Sequence, residues 1–448
     1  MPSTAHPDAF HFASPVKSYW EETAPPLGLP LVPLTGHQTC DVAIIGGGYT
    51  GISCALELAE RSAGRVVVLE AAEPGWGASG RNGGFVCIGA AKLPWPVMTA
   101  RYGLADTRAF YRLQCDAVAA LREMAQRYGF DADMSADGEI ALAHKPSRLA
   151  EFRKEAQFLA ETFGARCEIL SGEDLRTRGL HSPAFHGGIF NPVGYSTHPL
   201  KLARGLARAA HAAGAIIHPH SPLRSWRASP GGHLLTTDRG LLEAKQVVFA
   251  CNGFTQEQVV PLLKGRIMPV LSNILVTRPL SPEERAAQGW TSTTMCFDSR
   301  ILLHYFRLLP DGRFLFGGRG GTDASRLGVA PMEQSLRRSF ERMFPAWAEV
   351  QHTHFWQGLA CLAYDLVPYL GPLDKARTVW TALAYHGNGV AMANWSGRMV
   401  GKLITGAERL EALPKVITRR LARYPAPNLR PAYLKAAYAW YGIRDEWL

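Results

Sequence analysis

None of the eight cysteines (Cys40, Cys54, Cys87, Cys115, Cys167, Cys251, Cys296 and Cys361) belongs to a C-x-x-C pair, which excludes the common zinc-ribbon and dithiol redox motifs. Scattered in this way they read as small buried residues of a reducing compartment. No stretch approaches about 20 consecutive apolar residues, so no spanning helix is expected. The first residues, MPSTAHPDAFHFASP, lack a basic start followed by an apolar core, and no secretory signal is expected. A cytoplasmic location follows as the expectation. The net charge is +10, yet Lys and Arg are dispersed and no basic block precedes the tail, so a nucleic-acid partner is not expected. A positive field of this kind suits an anionic small molecule. The H-x-H pairs His218/His220 and His352/His354 have no third ligand nearby in the sequence, so no metal is expected. Internal repeats and low-complexity segments are also missing.

What is present is organised around Asp41 to Glu70, DVAIIGGGYTGISCALELAERSAGRVVVLE. Apolar Asp41–Ile45 reads as a strand, Gly46, Gly48 and Gly51 have G-x-G-x-x-G spacing, Ile52–Glu60 has helical period, and Val66–Leu69 is a second strand closing on Glu70. Each part has a task in holding a dinucleotide. Gly46 turns the chain, Gly48 leaves room for a pyrophosphate, and Gly51 lets the helix lie against the strand. The helix N-terminus offers unpaired N–H groups to phosphate, and Glu70 accepts from ribose hydroxyls.

With 448 residues the chain has room for two domains. Residues 1–37 read as an extended arm anchored by Trp20. The spacing predicts an amphipathic helix over Leu104–Tyr128, a turn at Asp137–Gly138, a strand at Glu139–Ala143, a helix over Arg148–Phe163 and a strand at Gly187–Phe190. Thr197 is the expected N-cap of a helix that runs to Ala213 and stops at Gly214. Strands at 215–218, 233–237 and 241–249 then return the chain to the first domain, which is therefore discontinuous. Met268–Thr277, Cys296–Leu303 and Arg313–Phe316 are strand-rich, followed by a helix near Met332–Phe344, strands over Phe355–Gly371 and Val379–Ala384, and a last long helix from about Asn394 to Thr405. The fold class is α/β: a Rossmann-like nucleotide-binding domain (38–90, 196–262 and 352–412) interleaved with an α+β substrate domain of mainly antiparallel sheet (91–195 and 263–351). A tail (413–448) carries Arg419, Arg420, Arg423 and Arg430 and an aromatic helix around Tyr433–Tyr441.

The loop after Glu70, PGWGASGRNGG (Pro74 to Gly84), resembles that of the amine-oxidising flavoproteins related to D-amino-acid oxidase and sarcosine oxidase. The likeness is strongest to the gamma-glutamylputrescine oxidase group. It continues in YFRLLPDGRFLFGG (305–318), WQGLACLAYDLVPYLG (356–371), HGNGV (386–390) and AYAWYGIRD (437–445). This resemblance implies FAD. It places Tyr49, Thr50, Ala78, Ser79, Gly80, Arg81, Asn82, Gly83 and Gly84 around the pyrophosphate and flavin. Leu223 falls beside the adenine, Ala250, Asn252 and Gly253 at a turn near the cofactor, and Gly387, Asn388, Gly389 and Val390 at a helix N-terminus aimed at the flavin. Relatives that attach flavin covalently use a cysteine near position 358; Cys361 is an odd number of residues away, and non-covalent FAD is expected. His304, Tyr305, Trp356 and Tyr364 are candidates for the substrate pocket, and Lys264 and Arg266 for the cations that attract a carboxylate or reduced oxygen. Phe85 and Asn388 depart from the group's pattern and put the particular amine in doubt.

The resemblance implies oxidation of an amine or secondary amino acid, a gamma-glutamylated polyamine among the candidates, to an imine, with oxygen reduced to hydrogen peroxide. A dehydrogenase handing electrons to a quinone or protein, its aromatic and basic tail on a membrane surface, stays open, as does a non-enzymatic FAD-binding protein. An NAD(P)H-linked reductase is disfavoured, because the Gly317–Gly321 run has no clear helix after it.

Overall fold

A computed structural model describes residues 7–447 as two sheets with helices around them. The first sheet runs Tyr369–Pro372, Val379–Leu383, Gly240–Phe249, Gly36–Ile45, Val66–Leu69, Ile216–His218, and every pairing in this order is parallel except the first. Val42–Ile45 and Val66–Leu69 are apolar at every position because both faces are covered, as parallel sheets require. Tyr49–Glu60, Pro199–Ala212 and Val390–Ile404 pack on one side. The expected strand at 233–237 is Gly232–Thr236, antiparallel to Gly240–Phe249, and a strand absent from the sequence reading, Ser225–Ser229, pairs with its other edge.

The second sheet runs His352–Ala363, Ile267–Thr277, Phe314–Arg319, His304–Leu308, Met295–Asp298, Ser135–Leu142, Gly187–Ser196, Phe85–Cys87, with Glu168–Ser171 against Gly187–Ser196. One of its pairings, Met295–Asp298 with Ser135–Leu142, is parallel and the rest are antiparallel. Trp290, Phe306, Phe314, Phe316, Phe340, Phe344 and Trp347 form an aromatic core between this sheet and helix Arg326–Met343. The fold is thus a Rossmann-like sheet interleaved with a mainly antiparallel one.

Several local expectations are corrected. Asp137–Gly138 is a bulge inside one strand, where the register shifts and Gly138 has φ +81°. The strand expected over Cys296–Leu303 stops at Asp298, whose buried carboxylate accepts from the backbone N–H groups of Arg300 and His304 and so turns the chain. Thr197 is not the N-cap, because its hydroxyl donates to Ala132 O; His198 Nδ1 caps the helix by accepting from Lys201 N. The strand His352–Ala363, expected to return to the first sheet, pairs with Ile267–Thr277 in the second. Trp20 is buried, and its indole N–H donates to Asn82 O at 2.9 Å.

The two H-x-H pairs hold separate partners: His218 meets Val32 O, His220 Glu73, His352 Glu333 and His354 Glu22. No group of three metal-binding side chains forms among the described residues, and no described helix is long and apolar enough to cross a membrane.

Candidate cofactor and active site

A cavity of about 490 Å³ lies where the C-terminal ends of Gly36–Ile45, Val66–Leu69 and Gly240–Phe249 meet the second sheet. Its floor is set by glycine. A Cβ on Gly51 would stand 1.9 Å from Gly46 O, so this helix can lie on its strand only without a side chain there. Helix Tyr49–Glu60 starts at Gly48 with no cap from that residue; Ser79 Oγ accepts from Tyr49 N at 2.9 Å, and Gly48, Tyr49 and Thr50 line the cavity. Glu70 is buried and accepts from Gly47 N at 2.5 Å and Ala72 N at 2.9 Å. Burial raises its carboxyl above the usual range against those backbone donors.

The loop 74–84 is fixed from several sides. Arg81 lies 3.9 Å over the Trp76 ring and donates to Trp76 O and Gln357 O, and burial pushes its guanidinium down to about 10. Asn82 donates to Ala78 O and Ser79 O and accepts from Gly84 N. Arg307, fully inside, donates to Gly83 O at 3.1 Å and Thr197 O at 2.7 Å. Opposite this loop, Gly387 turns with φ +97°, Asn388 donates to Ile88 O, and helix Val390–Ile404 begins at Gly389, again without a side-chain cap. Two helix N-termini left open by glycine therefore converge on one cavity, an arrangement that favours an extended anion.

Most residues expected at the cofactor line this cavity: Gly46, Gly48, Tyr49, Thr50, Glu70, Ala78, Ser79, Arg81, Asn82, Gly83, Leu223, Ala250, Asn252, Gly387, Asn388, Gly389 and Val390. Gly51, Gly80, Gly84 and Gly253 stand behind the wall, where a Cβ would meet backbone oxygens of Gly46, Gly75, Thr197 and Ala360. Cys361 also borders the cavity, as a buried thiol that desolvation pushes up to about 12.

The six pocket candidates separate. Tyr305 lines the cavity, bonded to Ser272 Oγ at 2.8 Å and edge-on to Phe85, and burial pushes its phenol up to about 12. The others are corrected. His304 is turned onto Asp298 at 2.9 Å and stacked on Phe316. Trp356 is a buried support whose N–H donates to Arg81 O. Tyr364 is exposed against Tyr424, and Lys264 is exposed. Arg266 spends its guanidinium on Leu262 O and Leu421 O.

Three side chains that sequence reasoning missed stand in their place. Lys92, Glu139 and Arg319 come from a loop and two strands far apart in sequence. Burial pushes Lys92 down to about 8, with nearby Arg319 adding to the shift. Burial likewise pushes Glu139 up to about 7, against the Cys87 thiol and Lys92.

Two buried histidines beside the site are held neutral. His386 Nδ1 donates to Ala90 O while Nε2 accepts from Ala363 N; His198 Nδ1 accepts from Lys201 N while Nε2 meets Thr23 Oγ1. Burial pushes both rings down to about 3. A depressed pKa favours the neutral form in the fold, so this stability is present above the unfolded value of about 6.5 and is lost as pH falls towards 3. Each ring is expected to lose about 2 kcal/mol by pH 5. Urea unfolding at pH 7.5 and 5 checks this: His386→Gln should flatten the pH dependence, and an equal dependence in that variant would contradict it.

A parallel βαβ unit closed by an acid, a second glycine-opened helix and an aromatic pocket beyond them define a flavin–dinucleotide site in an oxidoreductase. The chain belongs to the FAD dependent oxidoreductase family (DAO), whose family model matches residues 41–403. It is 31% identical to the gamma-glutamylputrescine oxidoreductase of Escherichia coli (strain K12), over 93% of this chain and 95% of that one. To a probable oxidoreductase, OrdL, of Rhizobium meliloti (strain 1021) it is 30% identical, over 97% and 98%. The crystal structure of glycine oxidase from Geobacillus kaustophilus superposes with a TM-score of 0.69 at 24% identity, covering 87% of this chain and all of that one. The cofactor is FAD, and the cradle described above fits it.

Proposed function

We propose that this chain oxidises an amine or secondary amino acid to an imine, with a gamma-glutamylated polyamine among the candidate substrates and oxygen as electron acceptor, giving hydrogen peroxide. The observation that carries this reading is the continuity of the cavity. From the glycine-opened helix ends it passes directly to a pocket walled by Phe85 and Tyr305, with Lys92 and Arg319 beside it. The likeness to a gamma-glutamylputrescine oxidoreductase supports the substrate class. Bound non-covalently, FAD supplies a two-electron acceptor. The protein's residues have the remaining tasks: Gly46, Gly48 and Ser79 hold the pyrophosphate, Glu70 the ribose, and the helix at Gly389 favours negative charge on the reduced ring. Phe85 and Tyr305 exclude water and orient the substrate's C–H bond.

A dehydrogenase is the second reading. Leu429, Tyr433, Trp440 and Ile443 are exposed in the same tail that carries Arg420 and Arg423, a composition suited to a membrane-borne acceptor. Anaerobic mixing with gamma-glutamyl amines, polyamines, N-methyl amino acids and cyclic imino acids separates the two. Bleaching of the flavin by one compound, with rapid recovery and peroxide on admitting air, is the expected outcome. Slow recovery in air that a quinone accelerates would favour the dehydrogenase, and no bleaching by any amine would overturn both.

A further inference from the structure

The cavity continues past Phe85 and Cys87 as an arm between the second sheet and helix Ser147–Phe163. On the sheet side, Glu139 stands opposite Asn191 and Ala141 opposite Ile189, so all four point into the arm. On the helix side, Phe152, Glu155 and Leu159 are spaced by three and four and share one face. Phe152 and Leu159 are 7% and 5% exposed, whereas Glu155 between them keeps exposed surface and borders the cavity. An acid beside apolar walls attracts a cation more strongly than one surrounded by water alone. No basic side chain pairs with Glu155 among the described residues; the protein packed around its carboxyl raises it above the usual range, and the like charge of Glu151 adds to the shift.

The two ends of the arm differ in sign. Near the flavin loops stand Lys92 and Arg319, the latter facing Gly387 and acted on by the phenols of Tyr438 and Tyr305. Glu139 stands next to Lys92, then come apolar walls, then Glu155. A chain-like molecule with a cationic group at one end is aligned by such a field, cation outward.

We propose that this arm is a substrate subsite, in which Glu155 receives a second, cationic nitrogen remote from the amine that faces the flavin. This rests on the reading of the site as an amine-oxidising one and narrows the substrate class to amines whose carbon chain ends in another basic group. Glu155 is a specificity residue, Phe152 and Leu159 the walls that strip water from the chain between.

The test uses the FAD-loaded protein under anaerobic conditions, titrated with matched pairs of an n-alkylamine and the α,ω-diamine of the same length. Affinity is read from the shift in flavin absorbance, separately from any bleaching. For the native chain the diamine is expected to bind about fivefold more tightly than its monoamine partner, the size of one partly exposed ion pair at its upper end. Glu155→Gln should abolish that preference and Glu155→Lys reverse it; the site is exposed, so neither variant threatens folding. Equal affinities in the native chain, an unchanged ratio in Glu155→Gln, or no spectral shift with any compound would each overturn the subsite. A Glu155-dependent ratio with no bleaching would leave the subsite standing and remove the amine-oxidation reading instead.

Discussion

Gly397→Ala is expected to loosen FAD and destabilise the protein, although alanine is the better helix former by about 1 kcal/mol. Helices Tyr49–Glu60 and Val390–Ile404 both begin at the cavity and touch along their lengths, and a Cβ on Gly397 would stand 2.1 Å from Thr50 O and 3.0 Å from Cys54 N. Those atoms are backbone and cannot swing aside. Overpacking of this kind costs roughly 1–3 kcal/mol, which outweighs the propensity gain. The helices are also tied by Ser53 to Asn394 at 2.8 Å and Arg398 to Glu57 at 2.7 Å, so a shift at Gly397 moves both N-termini. Since both termini are aimed at one ligand, FAD affinity should fall at least tenfold, about 1.4 kcal/mol. Flavin-fluorescence titration and thermal unfolding with and without FAD check this. A variant as stable as the native chain, with unchanged affinity, would contradict it.

Arg307→Met is expected to cost about 2–4 kcal/mol and to leave the flavin loop poorly held. The guanidinium is buried and no carboxylate among the described residues forms an ion pair with it; its bonds go to Gly83 O and Thr197 O, and burial pushes it down to about 10. Removing the charge relieves its desolvation, which argues for a small effect. Two buried carbonyls would then lack a donor, and bonds from a charged group contribute about 1.5–3 kcal/mol each, so the loss prevails. There is no room for rearrangement, since Gly84 beside them has φ +75° and its missing Cβ would sit 2.6 Å from Arg307 Nη2. Arg307→Lys, able to restore one bond, should recover part of the stability and of the flavin content. Equal flavin content in both variants and the native chain would refute the role.

The nucleotide end was legible because its information is local. Glycine spacing, helix period and the closing acid all lie within thirty residues, and the same glycines that turn the chain leave its helix end uncapped. The substrate end was not legible, since its chemistry depends on burial and on strands distant in sequence. Lys264 and Arg266 looked like pocket cations, but Lys264 is exposed, and Arg266 has Arg420 and Arg423 as neighbours and is consumed by carbonyls. Lys92 and Glu139 carry no motif and become unusual only when the sheet brings them together. Glu155 reads as an ordinary surface acid until Phe152 and Leu159 are seen to be buried on the same face. Arg307 lies within a stretch that supported the resemblance, yet nothing in its neighbours marks an arginine as buried.

FAD is expected to sit in the glycine-opened cradle without a covalent bond. Acid precipitation of the purified protein tests it most directly, with the flavin measured in supernatant and pellet. The result predicted is stoichiometric FAD, all of it in the supernatant. Flavin retained in the pellet would contradict the non-covalent attachment and direct attention to Cys361, and protein that takes up no FAD even when it is supplied would contradict the reading of the cradle itself.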